Sequence, residues 1–442
     1  MSRQDTALKY FREQQKENDL RVKAGIELNR KGNASITLKT ADGSPLPENV
    51  TVEVEQTNHE FKFGANIFML DEFECEEKNA IYREKFAELF NLATVPFYWS
   101  DLEPEQGNPR FAKDSPKIYR RPAPDLCVEY CKEKGIEPKC HCLNYENFSP
   151  KWLKNKTVGE VKTLLEKRFR ELSERYAEDI PSWEVTNETL QAPAAAASAF
   201  FSEDDFVEWS FRMADRYFPT NRLIINDYNI WNPSNLNNRT SYFMQIERMM
   251  RNGVSHLDSI GMQFHSFFPL EREDKEAARV YNPEKLYKMM DLYARLGKAI
   301  QITEMTLPAY GGDEENEYVQ AELARNVYST FFSHPAMEAI IYWNLVDGYA
   351  AFAPRGDMTA GENKYFGGLL RFDMSEKPAF KALKKLIHEE WHTSETVTAK
   401  DGKIDFRGFF GDYKLTIHAG DKTIVRDYRL SKHAVNPGQI LL

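Results

Sequence analysis

The chain is poor in three features that would each point to a class of partner. It has no run of about 18 consecutive apolar residues, the length a helix needs to cross a bilayer. It has no excess of positive charge: 58 Lys and Arg against 68 Asp and Glu leave a net −10. That balance argues against nucleic acid or an anionic membrane surface, both of which demand a basic face. Cysteine is sparse, five in 442 residues, and does not read as a disulfide framework. The G-x-G-x-x-G fingerprint of a doubly wound dinucleotide-binding sheet is absent too. The N-terminus, MSRQDTALKYFREQQKEN, reads as a charged helix and not a signal peptide. The chain as written is therefore expected in the cytoplasm, or secreted or periplasmic if a signal has been removed from it.

What is present is a core. Apolar residues make up 42% and aromatics 13%, enough for one large domain of roughly 250 to 350 residues plus something smaller. Cys127 and Cys131 are one helical turn apart, and Cys140 and Cys142 share one face of an expected strand. The four could be written as a zinc quartet, but packing of a helix on a strand accounts for them equally, and neither metal nor cofactor is expected.

Four regions follow from the texture of the chain. Residues 1–30 form a helical segment, 31–58 a small β element of two short strands around a turn, 59–391 the main domain, and 392–442 an antiparallel β module with Asp-Gly and Gly-Asp turns. The main domain alternates strand and amphipathic helix eight times. The expected strands are Phe61–Phe68, Leu92–Trp99, Glu137–Asn144, Ser182–Glu188, Arg222–Asp227, Ser259–His265, Ala299–Met305 and Ala339–Asp347. Between them lie segments such as VGEVKTLLEKRFRELSERYA with apolar residues at spacings of three and four. The fold class expected is α/β, a (β/α)8 TIM barrel with a small accessory β domain built from N- and C-terminal segments.

In such a barrel the C-terminal ends of the strands face the functional site. Six of the eight strands end in polar groups: His141; Asn187 and Glu188; Asn226 and Asp227; Gln263 and His265; Glu304; Trp343. Two carboxylates on separate strands, Glu188 closing Trp183-Glu184-Val185-Thr186-Asn187-Glu188 and Glu304 inside Ile302-Thr303-Glu304-Met305, are the machinery of glycoside hydrolysis.

Taken in order, these segments resemble glycoside hydrolase family 10, the retaining endo-β-1,4-xylanase family. WEVTNE is similar to its acid/base motif, ITEM to its nucleophile motif, INDYNI to its fifth-strand motif and GMQFH to its sixth. YWSDLEPEQGNPRF, HCLNYENFSPKW and FDMSEKPAFKAL match further along. The resemblance implies Glu304 as nucleophile and Glu188 as acid/base, with retention requiring carboxyls roughly 5 Å apart. It further implies that Asn187 bonds the sugar 2-hydroxyl, that His265 orients Glu304, that Gln263 and His141 contact sugar hydroxyls, and that Trp343 floors the −1 site. The negative charge of Glu304 is expected to raise the pKa of Glu188.

Four departures fall on the side that would hold the glycone. Thr94-Val95-Pro96-Phe97-Tyr98 stands where the family has Glu-Asn-Glu-x-Lys, so Tyr98 replaces groups that grip sugar. Tyr145-Glu146 replaces Trp-His, bringing in a tyrosine and a third carboxylate. Thr306 replaces an Asp that would support His265, and Ala351 and Phe352 stand near a missing Trp. Tyr228, after the fifth strand, is a further contact expected from the resemblance. The substrate expected is a xylan or related β-linked plant polysaccharide. The alternative is a carbohydrate-binding protein on a degenerate barrel. Two side readings remain: the Ala-rich stretch after Glu188 as an inserted loop or loose helix on the leaving-group side, and Phe406, Phe409, Phe410 and Tyr413 as packing onto the barrel, with a glycan-binding surface as the less favoured alternative.

Overall fold

A computed structural model describes residues 2–191, 198–232 and 236–442. The Ala-rich stretch 192–197 lies outside them. Two strands, β1 (Lys31–Lys39) and β2 (Thr51–His59), precede eight that close on themselves: β3 (Lys62–Asn66), β4 (Leu92–Pro96), β5 (Glu137–His141), β6 (Ser182–Asn187), β7 (Arg222–Asp227), β8 (Ser259–His265), β9 (Ala299–Thr306) and β10 (Met337–Tyr342). All neighbouring pairs are parallel, in the order β10-β3-β4-β5-β6-β7-β8-β9. This is the expected (β/α)8 barrel.

Local chemistry explains the elements. Helix Val158–Tyr176 opens on a capping box between Thr157 and Glu160 and buries Val161, Leu165, Phe169 and Leu172, one residue per turn of an apolar stripe. Helix Pro124–Lys134 begins with Pro at its first position, where the missing N–H costs nothing, and ends at Gly135 in the left-handed region. Its Cys127 and Cys131 face the main core.

Five expected strands run past their observed ends. Phe68, Asn144, Glu188 and Asp347 lie in the loops at the C-terminal mouth, and Trp99 opens the short helix Trp99–Leu102 there. Those overhangs read as strand because they are apolar and aromatic: Ile67, Phe97, Leu143 and Leu345 pack into the main core while Phe68, Tyr98 and Trp343 line the cleft. Cys140 and Cys142 part company for the same reason: β5 stops at His141, so Cys140 joins the main core while Cys142 packs with Phe68, Tyr98 and Trp343. Burial pushes the thiols of Cys127, Cys140 and Cys142 well up.

Five strands follow the barrel: β11 (Ser394–Thr398), β12 (Lys403–Phe409), β13 (Gly411–Ala419), β14 (Lys422–Leu430) and β15 (Gln439–Leu441). They do not form a module by themselves. Strand β1 lies between β12 and β15 in one sheet, and β2 lies between β11 and β13 in another. The two N-terminal strands, expected around one turn, thus enter different sheets. The inner faces share one core that includes Ile36, Val52, Val54, Phe406, Tyr413 and Leu415. Phe406, Phe409 and Tyr413 are buried, and Phe410 is half-buried against the same core. These aromatics are packing residues and not a glycan-binding surface: Phe406 and Tyr413 lie in the core between the sheets, with Phe410 against it, and Phe409 joins the barrel core.

Candidate active site

The strands that carry the two glutamates are the irregular ones. Pairing of β6 with β7 shifts by one residue between Glu184 and Thr186, and pairing of β8 with β9 shifts between Met262 and Gln263, leaving Thr303 as the extra residue on β9. A bulge re-aims the side chains beyond it. On β9 it lets Thr303 and Glu304 both serve the barrel interior, while Ile302 and Met305 join the outer core. After β6, Glu188 adopts φ 54, a left-handed conformation that side chains rarely accept and that collects at functional sites. Its N–H donates to the Asn226 carbonyl at 3.0 Å.

A continuous set of hydrogen bonds joins the two carboxyls. The Thr303 hydroxyl donates to Asn226 Oδ1, which fixes the amide so that Nδ2 donates to Asn187 Oδ1 at 2.8 Å and Glu304 Oε1 at 3.1 Å. Gln263 Nε2 donates to Glu188 Oε1 at 2.9 Å and reaches Asn187 Oδ1 at 3.4 Å. The Tyr145 hydroxyl donates to Glu188 Oε2. Gly261 makes this layer possible, since a Cβ there would lie 2.7 Å from Asn226 Oδ1 and 2.8 Å from Ile225 O.

Burial decides the titration of Glu304. Enclosure raises it to about 8; His141 and Lys139 oppose the rise, while Glu184 and Glu188 add to it. Glu304 thus holds a proton at neutral pH. His265 Nε2 meets Glu304 Oε2 at 3.1 Å, and Nδ1 meets the Thr306 hydroxyl at 3.0 Å. The support expected to be missing from His265 is supplied by Thr306. Burial lowers His265 to about 4, with only the charges of Glu362 and Glu188 opposing, so the ring is neutral.

Under the cleft lies an ion network that sequence reasoning missed. Cys140 pairs with Trp183 across β5 and β6, so Lys139 and His141 flank Glu184 on the inward face. Glu184 accepts from Lys139 Nζ and His141 Nδ1. Burial alone would raise Glu184, but its two cationic partners bring it down to about 2. Burial opposes charge on His141 as well, yet Glu184 outweighs it and raises the imidazole pKa. His141 Nε2 meets the Tyr98 hydroxyl at 2.9 Å. The signal was available: a Lys and a His two residues apart on one strand, opposite an acidic residue between two apolar ones on the next.

These groups line a cleft of about 450 Å³. It contains His141, Asn187, Glu188, Gln263, His265, Glu304, Trp343, Tyr98, Tyr145 and Tyr228. Glu146 is not among its lining residues; that side chain is buried in a 3-10 turn after β5. Asn226 and Asp227 lie one layer down, the latter accepting from the backbone N–H groups of Leu190 and Tyr228. His141 and Tyr98 spend their polar atoms on each other and on Glu184, and Tyr98 stacks on Phe148 with centroids 4.0 Å apart. Phe267 stacks on His265 at 4.5 Å. Ala351 and Phe352 are in the lining as well, and so, without having been singled out in sequence, are Phe68, Phe267, Arg120, Arg121 and Glu362.

Comparison with known proteins gives a consistent picture. The family model described as glycosyl hydrolase family 10 matches residues 55–386. The protein named endo-1,4-beta-xylanase B from Thermotoga neapolitana is 24% identical over 356 residues, covering 78% of this chain and 92% of its own. The anti-sigma-I factor RsgI6 of Acetivibrio thermocellus is 23% identical over 406 residues, and there this chain spans 46% of the relative's length. Xylanase 10B from Thermotoga petrophila, solved in complex with xylobiose, superposes with a TM-score of 0.59 at 23% identity, covering 75% of this chain and 95% of that one. At that identity the likeness is one of fold.

Proposed function

The chain belongs to glycosyl hydrolase family 10, and from that premise we propose that it is a retaining β-glycosidase acting on xylan or a related β-linked plant glycan. The site's single proton passes from Glu304 to Glu188 before reaction; Glu304, now a carboxylate, attacks the anomeric carbon and the bond to the leaving oxygen breaks, while Glu188 gives that oxygen the proton. Glu188 then takes a proton from water, whose oxygen displaces Glu304 from the anomeric carbon and restores the free carboxylate. Tyr145 and Gln263 hold the two oxygens of Glu188, and Asn226 and His265 hold those of Glu304. Asn187, bound by Asn226, presents its amide to the sugar. Trp343 supplies an apolar floor against Phe68, His141 and His265.

The observation that carries this reading is the bonded path Glu188–Gln263–Asn187–Asn226–Glu304, which commits both carboxyls to one cleft on bulged strands. Azide added to a Glu304→Ala variant tests it on an aryl β-xyloside and on xylo-oligosaccharides. Rescue yielding the glycosyl azide of inverted configuration is expected. Wild-type-like activity in that variant would remove Glu304 from the role. No turnover of any β-glycoside by the unaltered protein, with oligosaccharide binding retained, would favour a carbohydrate-binding protein instead.

A further inference from the structure

Two arginines in the cleft have no part in the double displacement. Arg120 and Arg121 lie in the loop between β4 and helix Pro124–Lys134, and they line the cleft together with Phe68, Tyr98 and Trp343. Arg120 is 4% exposed and sits at φ 62, a conformation costing a non-glycine residue about 1 kcal/mol or more and kept only where the surroundings impose it. Its Nη1 donates to Asn344 Oδ1 at 3.1 Å and to the Tyr349 carbonyl. Its Nε is buried with no acceptor, and no carboxylate pairs with it among the described residues.

Arg121 spends Nε on Asp101 Oδ2 at 2.7 Å and Nη1 on the Arg120 carbonyl at 2.9 Å, with its guanidinium 4.4 Å from the Tyr98 ring centroid. Nη2 of neither arginine is used in a hydrogen bond among the described residues. Glu362 also lines the cleft, but its Oε2 accepts from Asn344 Nδ2 at 3.4 Å and it forms no ion pair with Arg120. A buried guanidinium without a counter-ion is expensive, and its planar fork fits a carboxylate.

We propose that this end of the cleft binds an acidic sugar, a uronosyl residue whose carboxylate pairs with Arg120 and Arg121, so that the substrate class is an acidic β-linked glycan. The proposal rests on the glycosidase reading for its sugar chemistry and supplies what that reading leaves open. It also accounts for the position of the departures: the family's charged grip on the glycone is gone from Thr94-Val95-Pro96-Phe97-Tyr98, and cationic groups from a neighbouring loop occupy this side.

The test is binding, measured by calorimetry on a Glu304→Gln variant so that turnover plays no part. Three probes are compared: xylotetraose, xylotetraose carrying one glucuronosyl branch, and the methyl ester of that branched compound. The acid should bind about tenfold or more tighter than either neutral probe, with the advantage shrinking as salt is raised. Arg121→Gln and Arg120→Gln, each in the same background, should bring the ratio of acid to ester towards one. Should Arg120→Gln fail to fold, the ester comparison and Arg121→Gln decide by themselves. Equal binding of the acid and its ester would overturn the proposal. A preserved preference for the acid, with no turnover of either by the unaltered protein, would count against the glycosidase reading alone.

Discussion

Glu304 is 4% exposed, and this burial holds a proton on its carboxyl at neutral pH in the substrate-free site. The consequence for stability has a definite sign. The folded pKa of Glu304, about 8, stands above the ordinary carboxylate value of 4.5. The folded chain therefore holds a proton that the unfolded chain releases, and this contribution is intact below about pH 4.5 and lost as pH rises through about 8. Glu304→Gln, which keeps the amide-sized group and removes the titration, should be more stable than the parent at pH 8.5 by on the order of a few kcal/mol, and nearly equal to it at pH 4.5. Denaturant midpoints at the two pH values give the comparison; a difference that does not change with pH would place the proton elsewhere. Glu188 and Glu304 themselves were legible as acidic ends of strand-like runs. Which of them is buried was not, because that depends on how far the loops after β6 and β9 close over each.

The two bulges on β6 and β9 and the ion network beneath them act at the scale of the strand. Period-two alternation in the sequence finds a strand and its inward face, but a bulge changes the phase by one residue without altering composition. Trp183 to Glu188 and Ile302 to Met305 therefore read as regular strands that end at a carboxylate. Glu184 shows what the network contributes. It is the shared acceptor of Lys139 on one side and His141 on the other, all three within 1% of full enclosure, so it ties β5 to β6 directly below Tyr98. Glu184→Ala would leave two buried groups that favour positive charge without their acceptor, at a cost of about 3 to 5 kcal/mol. Replacing Lys139 and Glu184 together by methionine should cost less than the single change, since no lone charge remains between them. Equilibrium urea unfolding of the three proteins measures this, and a Glu184→Ala cost below about 1 kcal/mol would mean that the network does not hold the strands together.

Over the whole molecule, the chain's two ends are joined at the foot of the barrel, remote from the cleft mouth. The presence of β segments at both ends is readable in sequence from alternation and Asp-Gly turns. Their pairing is not, because β1 and β2 find partners that lie beyond the entire barrel in the chain. Strand β2 is paired along both edges, by β11 and β13, and β1 likewise by β12 and β15. Phe409, at the end of β12, reaches His59 and Phe332 with ring centroids 5.7 and 6.2 Å away, and Trp391 stacks on Phe332 at 4.2 Å. Removing residues 392–442 would strip β1 and β2 of every strand partner and open the inner face formed by Ile36, Val52 and Val54. Exposed apolar edges of that kind invite pairing between molecules. The truncated chain should therefore melt on the order of 10 °C lower or fail to accumulate as soluble protein, a shift of several kcal/mol on the usual scaling for large domains. Scanning calorimetry of soluble material settles it: a melting temperature equal to that of the whole chain would show that the barrel stands without its β support, and that the terminal strands serve something other than stability.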